Sequence, residues 1–554
     1  MEGSPQGVAT GEVVPTRRQW IGLLAIALGV ALIVVDTTIV NVINPSIIAD
    51  LGAGSTAAQW IQESYAIVFA ALLLVVGRVA DIHGARRVFT AGVVVFGVSS
   101  IAAGIAPGTE VLIVARFVQG AGAAMILPTS LALLNATFTG KARGQAFAIW
   151  GSTIGAAAAL GPLLGGWLAE HFSWRWAFGI NVPLAVLIIV GVVLCVDRAP
   201  RVAGRLDALG AILSVAGLGL LAFGLIEGRT YGWWTVTRPL DVAGRHWASG
   251  PSPVLVALVL SALAMTGFVA RQVLLRRRGD VDKALMDLRL FSIASFRNGN
   301  VATLIIGVGE FGIIAVLPLW LQFTLGYTAM QSGLLLVPIA VGSFVASGAS
   351  FGLADKNVTP LAMLRLGLAF EVVGLAGLAF VAATDTNWWV LSLVLALYGV
   401  GVGFATAQVT NVVLADVPAS EDGQAAGIQS AFRQLGSALG IAILTTVFFT
   451  ALSSRSETYL TDHGMGPEQA DALSGTLADS AGAAIGGFAA DPSTAVVADA
   501  GRSAMTDGIM VGGYVAAAFV LLGLVASLVI PPMTGEVGDD DGSGAKDARP
   551  HVAA

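Results

Sequence analysis

Apolar segments of membrane-spanning length recur along this chain and constrain its fold more than any other feature. About twenty residues carry an α-helix across the hydrocarbon core of a bilayer. Of the 554 residues, 56% are hydrophobic and only 12% are charged, too few charges to cover the surface of a soluble protein. The sequence therefore predicts an all-α polytopic membrane protein with fourteen spanning helices. The segments are 20–43, 57–79, 88–106, 111–137, 145–169, 178–196, 208–228, 253–274, 297–325, 331–352, 360–383, 388–415, 424–452 and 508–530.

The basic residues predict the orientation of these helices. With the N-terminus in the cytosol, the cytosolic segments and adjoining helix ends carry 21 of the 29 Lys and Arg residues, and the external loops carry six. This asymmetry follows the positive-inside rule, so both termini are predicted to be cytoplasmic. The first apolar segment is too long for a cleaved signal peptide, and we interpret it as the first spanning helix.

The spacing of the segments divides the chain into two bundles with an extra helix pair between them. Within the second bundle, residues 453–507 are rich in Ala, Gly, Ser and Asp and are interpreted as a mobile external loop. The predicted parts are a cytosolic N-terminal segment (1–19), a six-helix bundle (20–198), an interposed helix pair (206–275), a cytosolic linker (276–296), a second six-helix bundle (297–530) and a disordered cytosolic tail (531–554).

Several classes of protein find no support in the sequence. Cys195 is the one cysteine, and the five histidines have no ligand spacing, so neither a disulfide within the chain nor a metal centre is expected. Residues 307–312 fit a Gly-x-Gly-x-x-Gly pattern, but they lie inside an apolar segment rather than after a strand. The chain has no phosphate-binding Gly-Lys-Ser loop. We expect no enzymatic activity, no nucleic-acid partner and no cofactor.

Two ionisable residues in the first bundle are candidates for proton coupling. Asp36 lies in the first spanning segment, where a carboxylate costs about 2.5–3.5 kcal/mol to insert. Arg116 lies in the fourth segment and stays protonated in any plausible environment, so it needs an anion or a set of carbonyl groups, and Asp36 is the candidate. Loss of their pairing during a conformational change would favour proton uptake by the carboxylate. The alternative is a permanent, structural salt bridge.

The remaining intramembrane polar residues are candidates for a substrate cavity. Glu310 in the ninth segment is the second carboxylate that we expect to bind a proton or a cationic substrate. Its alternative is a structural pair with Arg433 in the thirteenth segment. Glu371 is interpreted as lying near a membrane interface. Asn41 and Glu63 complete the candidate cavity, Glu63 at its entrance.

A glycine-rich loop with charged residues joins the second and third segments. Glycines permit a tight turn, and Asp81 can cap the following helix or pair with an arginine. The loop is a candidate conformational lock, and the alternative is an ordinary basic cytosolic loop. Its residues are Gly77, Asp81, Gly84, Arg86 and Arg87.

The fifth segment carries small residues at helical spacing and a proline that removes a backbone donor. It is either a packing face, as is common in membrane helices, or a bend and close-contact seam between two moving halves. Its key residues are Gly155, Gly161, Pro162, Gly165 and Gly166.

These stretches resemble motifs of the major facilitator superfamily. The loop at 77–87 resembles its signature loop, although Ala85 replaces a basic residue. Residues 36–45 match the Asp-x-Thr-x-x-Asn-x-x-x-Pro motif of the fourteen-helix drug:proton antiporter branch, with Asn44 at a usually apolar position. Arg-x-x-Gln-Gly at 116–120 is similar to the helix-four motif. Gly-Pro-x-x-Gly-Gly at 161–166 resembles the antiporter motif in part, because Ala148 and Ala157 replace glycines.

The resemblance implies two bundles that rock around a central cavity. It also implies a proton-driven exporter of amphipathic or lipophilic, cationic drugs or antibiotics, in which Asp36 and Glu310 exchange protons and Arg116 tunes Asp36. The expected partners are a small drug or metabolite, protons and the lipid bilayer. The expected state is a monomer in a bacterial plasma membrane. The alternatives are export of an endogenous metabolite or lipid, and a sensor or scaffold that does not transport.

Overall fold

The computed structural model describes residues 15–52, 55–197, 204–242, 245–280, 283–356, 358–418 and 421–531. Almost all of these residues are helical. A short antiparallel hairpin, β1 (Leu240–Val242) and β2 (Arg245–Trp247), lies between two of the helices. The helices are α1 (Arg17–Leu51), α2 (Ser55–His83), α3 (Ala85–Gly104), α4 (Thr109–Thr137), α5 (Gly140–His171), α6 (Arg175–Gly179), α7 (Asn181–Cys195), α8 (Ala208–Tyr231), α9 (Pro253–Arg277), α10 (Ala294–Phe323), α11 (Ala329–Asp355), α12 (Pro360–Val381), α13 (Trp388–Leu414), α14 (Asp422–Asp462), α15 (Pro467–Asp479), α16 (Ala484–Ala490) and α17 (Ala495–Ser527).

The helices confirm the prediction of an all-α membrane protein. Among the described residues, 13 helical stretches are long and apolar enough to cross a membrane. Helix α5 is a further long helix and contains the predicted segment 145–169. The sixth predicted segment is divided between α6 and α7, which meet at Ile180.

Helices α1–α7 form one half of the molecule and α10–α17 form the other, and the two halves meet along a shared face. Each half contains one buried ion pair. Helix α2 packs on α14, and α5 packs on α11 and α13. Glycines allow these helices to approach closely. A Cβ atom at Gly77 of α2 would lie 2.6 Å from the carbonyl oxygen of Gly423 and 3.1 Å from the Cα atom of Gly427, both on α14.

The interposed helices α8 and α9 pack mainly on each other, and α8 also contacts both halves of the molecule. The Ser261 hydroxyl of α9 donates to the carbonyl of Gly217 on α8 at 2.7 Å. Asp207, just before α8, forms an ion pair of 3.1 Å with Arg271 of α9. Helix α8 packs on α2 and on α14, which themselves pack together. It therefore lies along the line where the two halves meet.

The interpretation of residues 453–507 as a loop is wrong in its secondary structure. Helix α14 continues to Asp462, and α15, α16 and the first turns of α17 account for most of the remainder. The abundant alanine favours helix. Ala470, Leu477 and Ile485 are at most 1% exposed, so the segment also has its own small core. Residues 1–14 and 532–554, and with them most of the predicted segment 1–19 and nearly all of the predicted tail 531–554, lie outside the described residues.

Candidate functional site

Asp36 and Arg116 form a fully buried ion pair in the first bundle. Helix α1 carries Asp36 and α4 carries Arg116, and their side chains are 0% and 1% exposed. The Arg116 Nη1 atom lies 2.5 Å from Asp36 Oδ2, and Arg116 Nε donates to the Ile61 carbonyl at 3.0 Å. Such a pair offsets the cost of burying two charges only with good geometry and further hydrogen bonds. The contact is the one that charge balance predicts from the sequence.

Two amide side chains complete the coordination of the Asp36 carboxylate. Gln119 Nε2 and Asn181 Nδ2 donate to Asp36 Oδ1 at 2.8 and 2.7 Å. Both amides also donate to the Ser100 hydroxyl oxygen, at 2.9 and 3.2 Å. Arg116, Gln119 and Asn181 together therefore compensate the burial of the Asp36 charge.

The polar cluster is buried where α2 and α4 approach each other closely. A Cβ atom at Gly120 would lie 2.5 Å from the Tyr65 carbonyl oxygen, so a larger residue would separate the helices. The Arg116 guanidinium carbon lies 4.4 Å from the centroid of the Tyr65 ring and 6.0 Å from that of Phe178. These rings cover the guanidinium and attract its charge.

Ser100, like Asn181, is a member of this cluster that the sequence analysis did not single out. A hydroxyl in an apolar helix usually bonds to a carbonyl of its own helix, and Ser100 also donates to Phe96 in this way, at 2.8 Å. The adjacent hydroxyls of Ser99 and Ser100 in an otherwise apolar segment are the only signal in the sequence that could have indicated it.

A second buried cluster lies in the other half. Thr406 of α13 donates to Glu310 Oε1 at 3.1 Å, and Arg433 Nη2 of α14 lies 3.6 Å from the same oxygen. The structure thus brings Glu310 and Arg433 together. Glu371 was interpreted as lying near an interface, which is wrong: it is 0% exposed at the middle of α12. Neither of its carboxyl oxygens has a hydrogen-bond partner among the described residues.

Glu63 lies apart from both clusters. Its carboxyl group is within hydrogen-bonding reach of the Glu227 carboxyl on α8. The side chains of Asn41 and Pro162 fall outside the described part of the chain, and their roles stay predictions.

Asp81 connects the two halves of the molecule. Its two carboxylate oxygens accept from the backbone amides of Gly423 and Gln424, at 2.7 and 3.0 Å, at the N-terminus of α14. A carboxylate suits that position because the first amides of a helix are unpaired and carry partial positive charge. Of the two roles predicted for Asp81, the cap on the following helix is wrong, since α3 has no side-chain cap.

The other members of the predicted lock have separate roles. Gly84 precedes α3 with φ at 90°, a conformation that favours glycine. The Arg86 side chain donates to the Val193 carbonyl near the end of α7 at 2.7 Å, and Arg87 is exposed. Gly77 provides the close contact between α2 and α14 that places Asp81 at the start of α14.

Two more polar contacts join the halves at the same end. Asn135 of α4 donates to Asp422 of α14 at 2.7 Å. Arg143 of α5 donates to Asn411 of α13 at 2.9 Å. Together with Asp81, these contacts close the end of the molecule that the positive-inside rule predicts to be cytosolic.

The small residues of α5 contact both halves. A Cβ atom at Gly161 would overlap the Thr38 side chain of α1, and one at Gly165 would lie 2.9 Å from Ile39 Cγ1. Towards α11, a Cβ atom at Gly155 would lie 3.1 Å from the Oγ atom of Ser343. A Cβ atom at Gly166 would lie 3.6 Å from the Cε atom of Met330, also on α11. Helix α5 is therefore packed between the helix that carries Asp36 and a helix of the other half.

Comparisons with known proteins agree with this architecture. The sequence profile of the Major Facilitator Superfamily matches residues 26–441. The puromycin resistance protein pur8 of Streptomyces alboniger is 33% identical, over 82% of this chain and 86% of its own length. The multidrug efflux pump LfrA of Mycolicibacterium smegmatis is 32% identical, over 94% of this chain and 97% of its own.

A solved structure shows the same fold at low sequence identity. The crystal structure of the human organic anion transporter MFSD10 (TETRAN) matches with a TM-score of 0.58 and 13% identity, over 92% of this chain and 99% of that one. At this identity the likeness concerns the fold alone.

Proposed function

The chain belongs to the major facilitator superfamily, and from this premise we propose that it exports amphipathic or lipophilic, cationic drugs or antibiotics in exchange for protons. The alignments with pur8 and LfrA cover most of the chain, and the names of these two proteins indicate resistance and efflux. The buried Asp36–Arg116 pair is the observation that carries the proton-coupling part of the proposal. Its carboxylate holds Arg116, Gln119 and Asn181 in this conformation, and the proposal links proton exchange to a rearrangement of these contacts.

Proton uptake would follow from separation of the pair. If α4 moves Arg116 and Gln119 away from Asp36, the ionised carboxylate is left in a medium of low dielectric constant, where the neutral form is favoured. Proton release would follow when the contacts form again. Each charge that crosses the membrane can draw about 2.3 kcal/mol from every 100 mV of membrane potential.

The second cluster would bind the substrate. A cationic substrate would take the place of Arg433 beside the Glu310 carboxylate, whose Oε1 atom lies 3.6 Å from that arginine. Asn41 stays a proposed member of the cavity, and Glu63, which lies apart from this cluster, stays a proposed residue of the cavity entrance. Protonation of Glu310 on the external side would release the cargo.

Alternating access would use the contacts between the halves. Release of Asp81 from the N-terminus of α14 would open the cytosolic side, and α5 would slide or bend between α1 and α11. We propose that a monomer in a bacterial plasma membrane performs this cycle, driven by the proton gradient without a cofactor.

A panel of compounds tests the proposal in an efflux-deficient bacterial host. We expect expression of the chain to lower the accumulation of lipophilic cations several-fold, and a protonophore to remove the difference. Export of one self-made metabolite or lipid only would favour the narrower alternative. No export of any compound would favour the sensor, and export that resists the protonophore would contradict proton coupling.

Replacement of Gly161 by Leu should reduce efflux more than it reduces folding. The new side chain would overlap Thr38, and overpacking of this kind costs about 1–3 kcal/mol. Gly348→Leu is the matched control, because Gly348 is an exposed glycine of α11 with no atom within 4 Å of a new Cβ. Efflux and the yield of monodisperse protein are measured together. Equal efflux by the two variants would reduce the α5 seam to a packing face.

A further inference from the structure

Two carboxyl groups face each other between the first bundle and the interposed helix pair. Glu227 lies one turn before the end of α8 and is 1% exposed, and neither of its carboxyl oxygens has a hydrogen-bond donor among the described residues. Glu63 of α2 lies within hydrogen-bonding reach of it, and its Oε2 atom is buried and equally unpartnered. Neither residue belongs to the Asp36 or the Glu310 cluster.

Aromatic rings lie about one helical turn from these two residues on the same helices. Trp60 of α2 stacks on Phe223 of α8 with ring centroids 6.3 Å apart, and Phe223 stacks on Tyr231 at 6.4 Å. They provide an apolar wall on the side of both helices.

Among the described residues, no group donates a hydrogen bond to either oxygen of Glu227 or to the Oε2 atom of Glu63. Arg229 lies on α8 two residues after Glu227, but it is directed towards α14 and α15: its guanidinium carbon lies 3.2 Å from the centroid of the Phe449 ring, and it donates to the Ala478 carbonyl at 3.4 Å.

A hydrogen bond between the Glu63 and Glu227 carboxyl groups requires that one of them carries a proton. An ionised carboxylate only accepts hydrogen bonds, so two of them cannot bond to each other. Side by side at low dielectric constant they would repel strongly, and one of two such carboxyls then keeps a proton, which it donates to the other.

We propose that Glu63 and Glu227 share one proton and form a proton-binding site that is separate from Asp36. The site attaches the interposed helix α8 to α2 of the first bundle. Because α8 also contacts α14 of the second half, loss of this proton would loosen a helix that bridges both halves. The inference concerns proton binding by the protein alone and does not depend on the export of any drug.

Infrared spectroscopy of the purified full-length protein tests the proposal, because neutral and ionised carboxyl groups absorb at different frequencies. At neutral pH we expect the double variant E63Q/E227Q to lose the signal of one neutral carboxyl group per protein relative to the unmodified protein. Each single variant should remove or shift the same band, since the glutamine amide replaces the shared proton as donor. Glu63 is only half-buried, so E63Q keeps the test available if E227Q fails to fold.

Two results would overturn the proposal. Loss of no neutral carboxyl in the double variant would mean that both groups are ionised and hold a cation instead. Loss of two would mean that each is protonated independently. Asp50→Asn is the control: Arg175, hydrogen-bonded to Asp50, lowers the pKa of that carboxyl below its ordinary value, so this change should leave the neutral-carboxyl signal unaltered.

Discussion

Replacement of Asp36 by Asn is expected to reduce proton-driven efflux to the background of a host without the protein, while folding and expression persist. Asparagine has nearly the same volume, and its carbonyl oxygen can still accept from Arg116 or from the amides of Gln119 and Asn181. The Arg116 charge also keeps the Ile61 carbonyl and the rings of Tyr65 and Phe178, so it is not left without partners. Asparagine cannot bind and release a proton, so the exchange of proton for cargo has no carrier at this position.

The measurement is substrate flux in proteoliposomes under an imposed pH gradient, with expression followed by size-exclusion chromatography. The matched control is Asp50→Asn, which removes a carboxylate of α1 from an exposed pair with Arg175. Asp50→Asn should keep its efflux. If Asp36→Asn transports as well as the unmodified protein, Asp36 has no part in the mechanism.

Replacement of Arg116 by Gln should destabilise the protein by about 3–5 kcal/mol, because it leaves Asp36 buried without its cation. The double variant D36N/R116Q should recover much of this loss, since no charge then remains unpaired. It should still fail to transport. Thermal unfolding of the purified variants, read beside proteoliposome flux, separates the two effects.

The exposed ion pair of Arg175 and Asp50 provides the comparison for these variants of the buried pair. Arg175→Gln removes an arginine whose side chain is 37% exposed, and water can solvate what remains, so only a small change in melting temperature is expected. A similarly small change for Arg116→Gln would show that the buried pair contributes little to stability. Recovery of flux in D36N/R116Q would contradict the proton-coupling role of both residues.

The sequence predicts the apolar architecture of this fold well because the bilayer imposes a length and a composition on every spanning helix. It also predicts the partner of Arg116, because a buried arginine needs an anion and few anions occur in the first bundle. The motifs identified the family, which the profile match confirms.

What the sequence did not predict depends on how separate helices are placed. Glu227 stands at the end of an apolar segment, and nothing local indicates that α8 would bring it to Glu63. The partner of Asp81 is a helix terminus more than three hundred residues away in the chain, whereas local reasoning favours the adjacent helix. Residues 453–507 are polar enough to suggest a loop, but their alanines and a few buried leucine and isoleucine side chains suffice for short packed helices.

The length of α14 has a mechanical consequence. Its 41 residues extend over about 62 Å at 1.5 Å per residue, roughly twice the thickness of the hydrocarbon core. Asp81 grips one end, and the other end carries α15 and α16 outside the predicted membrane region. A straight helix of this length works as a lever: a tilt of about 10° around its midpoint moves each end by about 5 Å in opposite directions. Loss of the Asp81 contact on one side of the membrane would thus displace α15 and α16 on the other side.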